Sequence, residues 1–291
     1  MNPTAPAASR LLARFLALCA AAMALGGCSA ITLLNTLTPT SDLEIRRDIA
    51  YGADPRYKLD VYRQRDLPPD APVVVFFYGG SWDSGEKGNY LFAAEALASR
   101  GFVAILPDYR VYPAVTFPGF LDDAAAAVAW TKKNARAHGG NPDKVFLMGH
   151  SAGAHIAAMV SLDPQFLAQQ GLTPTAVSGF IGLAGPYDFL PLRDETLKKI
   201  FAPEATIART QPINFVSASA PPALLMTGDK DASVSPGNTI RLAAKLKREG
   251  RTVTEVHYPD CNHYTIVGLL AAPFRKDEPI LDDIERFVRA N

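Results

Sequence analysis

Ser151 lies in the run Gly149-His150-Ser151-Ala152-Gly153, directly after the apolar stretch Val145-Phe146-Leu147-Met148 and before a helix-forming segment. A serine on a tight strand-to-helix turn is held in a strained backbone conformation, and glycines two positions to either side leave room for neighbouring backbone. Such a turn raises the hydroxyl above the sheet edge. The helix that starts there aims its first amides and the positive end of its dipole at any oxyanion formed beside it. A helix-capping serine between two unrelated glycines would show the same letters, but the strand before and the helix after favour a nucleophile.

A serine hydroxyl becomes a useful nucleophile when a base takes its proton, and the base needs an acid to orient it. The chain has five histidines. His138 precedes a turn at residues 139–142, His150 is inside the elbow and cannot fold back on Ser151, His155 is one turn into the next helix, and His257 is within a strand. His263 remains, in a loop that opens at the carboxyl end of the sheet, where ligands bind in open α/β folds. For the acid, the strand Ala223-Leu224-Leu225-Met226-Thr227 runs into Gly228-Asp229-Lys230-Asp231. Asp231 can reach inward, whereas Asp229 suits a turn cap. Asp260, three residues before His263, is a local alternative.

An oxyanion needs backbone donors. Tyr78-Gly79-Gly80-Ser81-Trp82 follows an apolar strand, and its two glycines let the backbone turn amides toward a ligand. The expected donors are the amides of Gly80 and Ser81 together with that of Ala152. Trp82 would either wall a substrate pocket or pack in the core.

The elements that must position these groups follow from the pattern of apolar residues. Residues 43–49 and 57–62 alternate as strands of an antiparallel hairpin, and the continuous apolar run at 72–78 suits a strand covered on both faces. A helix over 90–99 stops at Gly101. A strand at 102–106 and an alanine-rich helix over 121–136 come next. After the strand at 145–148 and the elbow helix come strands at 179–183, 223–227 and 252–258, with helices over 238–247 and 278–289. Strands alternating with helices predict a mostly parallel sheet wrapped on both faces.

Taken together, these residues resemble the α/β-hydrolase superfamily, in its serine esterase branch related to hormone-sensitive lipase, carboxylesterases and arylformamidases. The resemblance runs from about residue 43 to the C-terminus. It is carried by Tyr78-Gly79-Gly80-Ser81-Trp82, Pro107-Asp108-Tyr109-Arg110, the Ser151 elbow, Gly228 with Asp231, and His263. The superfamily uses the order serine, acid, histidine. The resemblance implies a single α/β-hydrolase domain over 42–291, with an antiparallel N-terminal hairpin and a short cap segment over about 188–221. It implies carboxylic ester hydrolysis through Ser151, His263 and Asp231, with Asp108, Tyr109 and Arg110 as structural supports. Tyr78 departs from the histidine common before the glycines, which affects packing beneath the loop. Within the cap, Phe201, Ile207 and Phe215 are expected to set acyl specificity, and so short a cap argues against a long-chain lipase. An arylformamidase-type amidase would use the same residues, and an inert hydrolase-fold binding protein of the cell envelope is the alternative of another class.

Composition bounds the rest. The chain has 291 residues, with 29 basic and 29 acidic side chains, so nothing attracts nucleic acid. No cysteine and histidine spacing suits zinc and no Gly-X-Gly-X-X-Gly follows a strand, so neither metal nor organic cofactor is expected. Arg10 and Arg14 precede an apolar stretch at 15–25 that is too short to span a bilayer, and Gly26, Gly27 and Cys28 follow. Residues 1–27 therefore read as a signal peptide. Leu25-Gly26-Gly27-Cys28 resembles a bacterial lipobox, with an ordinary secretory peptide as the alternative. On that resemblance Cys28 carries lipid, residues 28–41 form a tether, and the domain is anchored in the bacterial cell envelope, facing the periplasm or on the outer membrane. Loss of residues 1–27 would leave 27 basic and 29 acidic residues, a formal charge of −2. Cys261 would then be the only unmodified thiol, so no intramolecular disulfide could form. No motif specifies an oligomeric state.

Overall fold

The computed structural model describes residues 30–291; the proposed signal peptide and Cys28 lie outside the described residues. Eight strands form one sheet: β1 (Leu43–Ala50), β2 (Lys58–Gln64), β3 (Ala71–Phe77), β4 (Val103–Pro107), β5 (Gly140–His150), β6 (Gly179–Leu183), β7 (Ala223–Gly228) and β8 (Val253–Tyr258). Their spatial order is β1-β2-β4-β3-β5-β6-β7-β8. β2 pairs antiparallel with both β1 and β4, and every later pairing is parallel. The centre is hydrophobic because parallel strands are covered on both faces. Val73, Val74, Val75, Phe76 and Phe77 of β3 all have no exposed surface.

The helices are α1 (Ala30–Thr36), α2 (Leu91–Ser99), α3 (Gly119–Asn134), α4 (Ala152–Leu162), α5 (Pro164–Gln169), α6 (Glu195–Ile200), α7 (Gly237–Arg248), α8 (Thr265–Gly268) and α9 (Ile280–Ala290). α9 shows why such segments fold onto the sheet. Ile280, Leu281, Ile284, Phe287 and Val288 fall on one face and are buried.

Two local expectations change, and one helix, α5, was not anticipated. Gly140, Asn141 and Pro142 belong to β5 rather than to a turn: Gly140 pairs with Ala71, and a register shift between Ala71 and Val73 absorbs the irregular start. α5 begins at Pro164 with Asp163 as its cap, the side chain accepting from the Gln165 amide at 3.1 Å. Residues 30–36, expected within a tether, form α1, which docks on the body. Leu34 is buried, Asn35 Nδ2 donates to Gly88 O at 2.8 Å, and the Phe92 amide donates to Asn35 Oδ1 at 3.3 Å. Among the described residues no helix is long and apolar enough to cross a membrane.

Candidate active site

The carboxyl ends of β3, β5, β6, β7 and β8 converge on one cleft. At the end of β5, Ser151 has φ 56° and ψ −123°, the strained turn the sequence anticipates. The flanking glycines are obligatory. A Cβ on Gly149 would lie 2.2 Å from Gly153 C, and one on Gly153 would lie 2.0 Å from Phe77 O. α4 starts at Ala152 with its N-terminus beside the serine.

β7 and β8 deliver the other two groups. His263 Nε2 is 2.9 Å from Ser151 Oγ, and His263 Nδ1 is 2.8 Å from Asp231 Oδ2. The second oxygen of Asp231 accepts from the amides of Ser233 at 2.9 Å and Val234 at 2.8 Å. Asp231 thus caps its own loop while it orients His263, and both side chains are buried. The two loops are pressed together at Gly228, where a Cβ would lie 2.3 Å from Cys261 O. Burial pushes the Cys261 thiol up to about 12, so it stays protonated. Asp260 points elsewhere, to Lys230 Nζ at 2.6 Å. Asp229, expected to cap the turn, instead pairs with His257 Nδ1 at 2.7 Å, and that contact raises the histidine's pKa.

The loop after β3 faces the elbow. A Cβ on Gly79 would lie 3.1 Å from Ser151 Cβ, and one on Gly80 would strike Ser84 O at 2.2 Å. Gly80 has φ 142°, and Ser81 and Trp82 have φ of 49° and 60°, so two consecutive side-chain-bearing residues occupy the left-handed region. The amides of Gly80, Ser81 and Ala152 donate to no acceptor among the described residues. Concave runs of this kind present amides to an anion. Tyr78, which replaces the familiar histidine, stacks on Tyr109 at 4.4 Å, and its hydroxyl accepts from Arg56 Nη2 at 3.0 Å. Tyr109 Oη donates to Tyr78 O at 2.7 Å, Arg110 grips Asp123, and Asp108 Oδ1 accepts from the Lys87 amide at 2.8 Å. Tyr109 therefore braces the loop from beneath and Asp108 holds its far end at Lys87, while Arg110 ties this segment to α3 through Asp123.

Two further residues were not singled out by their sequence positions. His150 Nε2 is 2.8 Å from His263 O, and its Nδ1 is 3.4 Å from Tyr90 Oη, which accepts from the Gly79 amide at 3.2 Å. A carbonyl can only accept, so Nε2 carries the proton. Burial lowers the pKa of His150 to about 3, which keeps the ring neutral and leaves Nδ1 to accept from Tyr90. A hydrogen-bonded chain thus runs from the His263 loop beneath the elbow to the loop of Gly79. The remaining histidines have other settings. His138 packs on Trp130, and the buried His155 bonds Thr210 O through Nε2 at 2.8 Å.

The cleft encloses about 1400 Å³, and Trp82 lines it. The same side chain is 4% exposed and packs edge-on to His155 and Phe201, with Phe189 stacked at 5.8 Å, so it is both pocket wall and core. The cap contributes residues 188–194 and Leu197 to the lining. Phe201, Ile207 and Phe215 do not line it, and Phe201 instead backs Trp82. Asn238 holds the start of this segment by accepting from the Tyr187 and Asp188 amides at 2.9 and 2.8 Å. No cluster of three or more His, Cys, Asp or Glu side chains among the described residues is arranged to hold a metal ion.

The BD-FAE family model matches residues 59–246. The chain is 31% identical over 241 residues to esterase LipC of Mycobacterium tuberculosis (strain ATCC 25618 / H37Rv), an alignment covering 75% of this chain and 59% of that protein. It is 30% identical over 272 residues to isoprenylcysteine alpha-carbonyl methylesterase ICME of Arabidopsis thaliana, covering 85% of this chain and 62% of the relative. It therefore spans little more than half the length of these curated relatives. Among solved structures, the Pyrobaculum calidifontis esterase superposes with a TM-score of 0.74 over 99% of each chain at 20% identity, which establishes a common fold.

Proposed function

This chain belongs to the BD-FAE family and has the α/β-hydrolase fold, and from that premise we propose that it is a serine esterase that cleaves small-molecule carboxylic esters. The observation that carries the reading is the unbroken line from Ser151 Oγ through His263 to Asp231, with contacts of 2.9 and 2.8 Å. Ser151 Oγ attacks the ester carbonyl as His263 Nε2 takes its proton, and the amides of Gly80, Ser81 and Ala152 hold the oxyanion. His263 returns the proton to the departing alkoxide, which leaves an acyl-serine. Water then attacks the acyl group, giving its proton to His263, and the acid is released as Ser151 recovers its hydrogen. Asp231 holds the Nδ1–H tautomer and stabilises the imidazolium. No step calls for a metal or an organic cofactor. Esterase relatives support this chemistry over that of an inert binding protein.

The purified protein is expected to hydrolyse short p-nitrophenyl esters, and Ser151→Ala is expected to lose that activity. Equal rates in the two proteins refute the reading. N-formylkynurenine turned over far faster than any ester transfers the same residues to an amidase. The proposal places the domain in the cell envelope, held by acyl groups on Cys28, a reading supported by the sequence from Arg10 to Cys28.

A further inference from the structure

Large apolar side chains on a soluble surface are ordinarily scattered, and a concentration of them marks a contact region. Among the described residues, the exposed large hydrophobics are Ile31 at 38%, Leu37 at 43%, Leu190 at 37%, Ile240 at 47% and Tyr264 at 66%. Ile31, Leu190 and Tyr264 all line the cleft that holds Ser151. Leu37 follows α1 directly, and Ile240 adjoins Arg241, which also lines the cleft. Ile31, Leu190 and Tyr264 come from three separate parts of the chain and gather at one mouth.

We propose that this mouth docks on a lipid bilayer through Ile31, Leu190 and Tyr264, so that the cleft opens toward the membrane and esters reach Ser151 from it. The course of the chain selects the bilayer as the occupant, and this choice rests on the lipid-anchor reading of Cys28. Ile31 follows Cys28 by three residues, a reach of at most about 10 Å even for extended backbone. An acyl group on Cys28 would therefore enter the membrane beside the cleft. α1 cannot swing free of this position without losing the Asn35 bonds to Gly88 and Phe92 and the burial of Leu34. The anchor and the apolar rim then act as one device: the first fixes proximity, and the second fixes which end of the sheet faces the lipid.

Orientation can be read without any turnover. The full chain carrying Tyr264→Trp, a second carrying Leu190→Trp, and a control carrying Arg248→Trp would be bound to phosphatidylcholine vesicles with brominated acyl chains. Arg248 is exposed at the end of α7, from which the chain returns to the start of β8 at the far end of the sheet. The two rim tryptophans are expected to lose at least half of their added emission to bromine, and the control less than a tenth. Adding Ile31→Ser and Leu190→Ser to the Tyr264→Trp chain should weaken its quenching severalfold. Equal quenching at rim and control positions, or none at the rim, overturns the orientation. Labelled palmitate should enter the wild type but not Cys28→Ala; incorporation into neither removes the anchor that selected a bilayer and with it the proposal, whereas loss of p-nitrophenyl ester turnover bears only on the esterase reading.

Discussion

Tyr90→Phe removes one oxygen from the chain of hydrogen bonds that ties the two halves of the site together. Tyr90 is 8% exposed, so water does not readily replace what is lost. The substitution leaves the Gly79 amide and His150 Nδ1 without a partner. An unsatisfied buried polar group costs about 1–3 kcal/mol. The bonds concerned are long, at 3.2 and 3.4 Å, which puts the combined stability loss near the lower end, about 2 kcal/mol. Gly79 immediately precedes the amides of Gly80 and Ser81, so loosening it shifts donors that matter most when the oxyanion forms. Removing such a donor outright costs about 2.7–4 kcal/mol; displacing one by weakening its support should cost about half of that, a fall in kcat of roughly tenfold. KM for p-nitrophenyl butyrate should stay within about threefold of wild type, because the lost interaction is made in the transition state. The assay is steady-state kinetics on both proteins beside thermal unfolding. A kcat within twofold of wild type, with the melting temperature lowered by several degrees, would show that the bond stabilises the fold without reaching the chemistry.

Asp231→Asn should lower ester turnover by about four orders of magnitude, through loss of the tautomer that presents a free Nε2, while Asp260→Asn, whose partner is Lys230, should remain near wild type; the reverse pattern in the same kinetic assay would overturn the assignment of the acid. Unfolding should also become easier in mild acid. Burial holds the folded pKa of His150 at about 3 and of His155 at about 4, below the unfolded value of 6.5, so the unfolded chain takes up protons first. Stability is therefore full above pH 6.5 and declines as pH falls through that window, by about 1.4 kcal/mol per unit for each histidine. Urea midpoints from pH 7 to 4.5 should fall less steeply in His155→Gln than in wild type, and parallel slopes would refute the attribution.

What could be read from the chain and what could not divide along sequence distance. Gly149, Ser151 and Gly153 announce the elbow because their spacing is local, with Gly149 pressed against Gly153 four residues on, although Gly153 is itself held by contact with the distant Phe77 of β3. Asp231 was legible because the acid must follow a strand end, and His263 because the other histidines had local alternatives. The brace beneath them was not. Tyr90 and His150 are 60 residues apart, and His150 and His263 are 113 apart, so no local pattern joins them. The same reasoning that excluded His150 from contact with Ser151 concealed its contact with the next loop. The cap misled for a different reason: apolar residues such as Phe201 look suited to a substrate, but a fully buried ring backing Trp82 is core.

Backbone strain ties these observations together. Ser81, Trp82 and Ser151 all hold positive φ without being glycine, a conformation costing about 1–3 kcal/mol per residue that persists only where the surroundings enforce it. Trp82 is enforced by Phe120, Phe189, Phe201 and His155 around its ring, and Ser151 by the close approach of Gly149 to Gly153 and of Gly153 to β3. On the proposed mechanism the donors and the nucleophile are therefore fixed before any ester arrives, which is the arrangement that lowers reorganisation at the moment of reaction. Rigidity of this kind leaves little room to adapt on the Trp82 side of the cleft. Adaptation to substrate must come from the irregular residues 190–194, beyond the Phe189 ring that stacks on Trp82, so exchange within that segment should alter ester preference while leaving the geometry of Ser151, His263 and Asp231 intact.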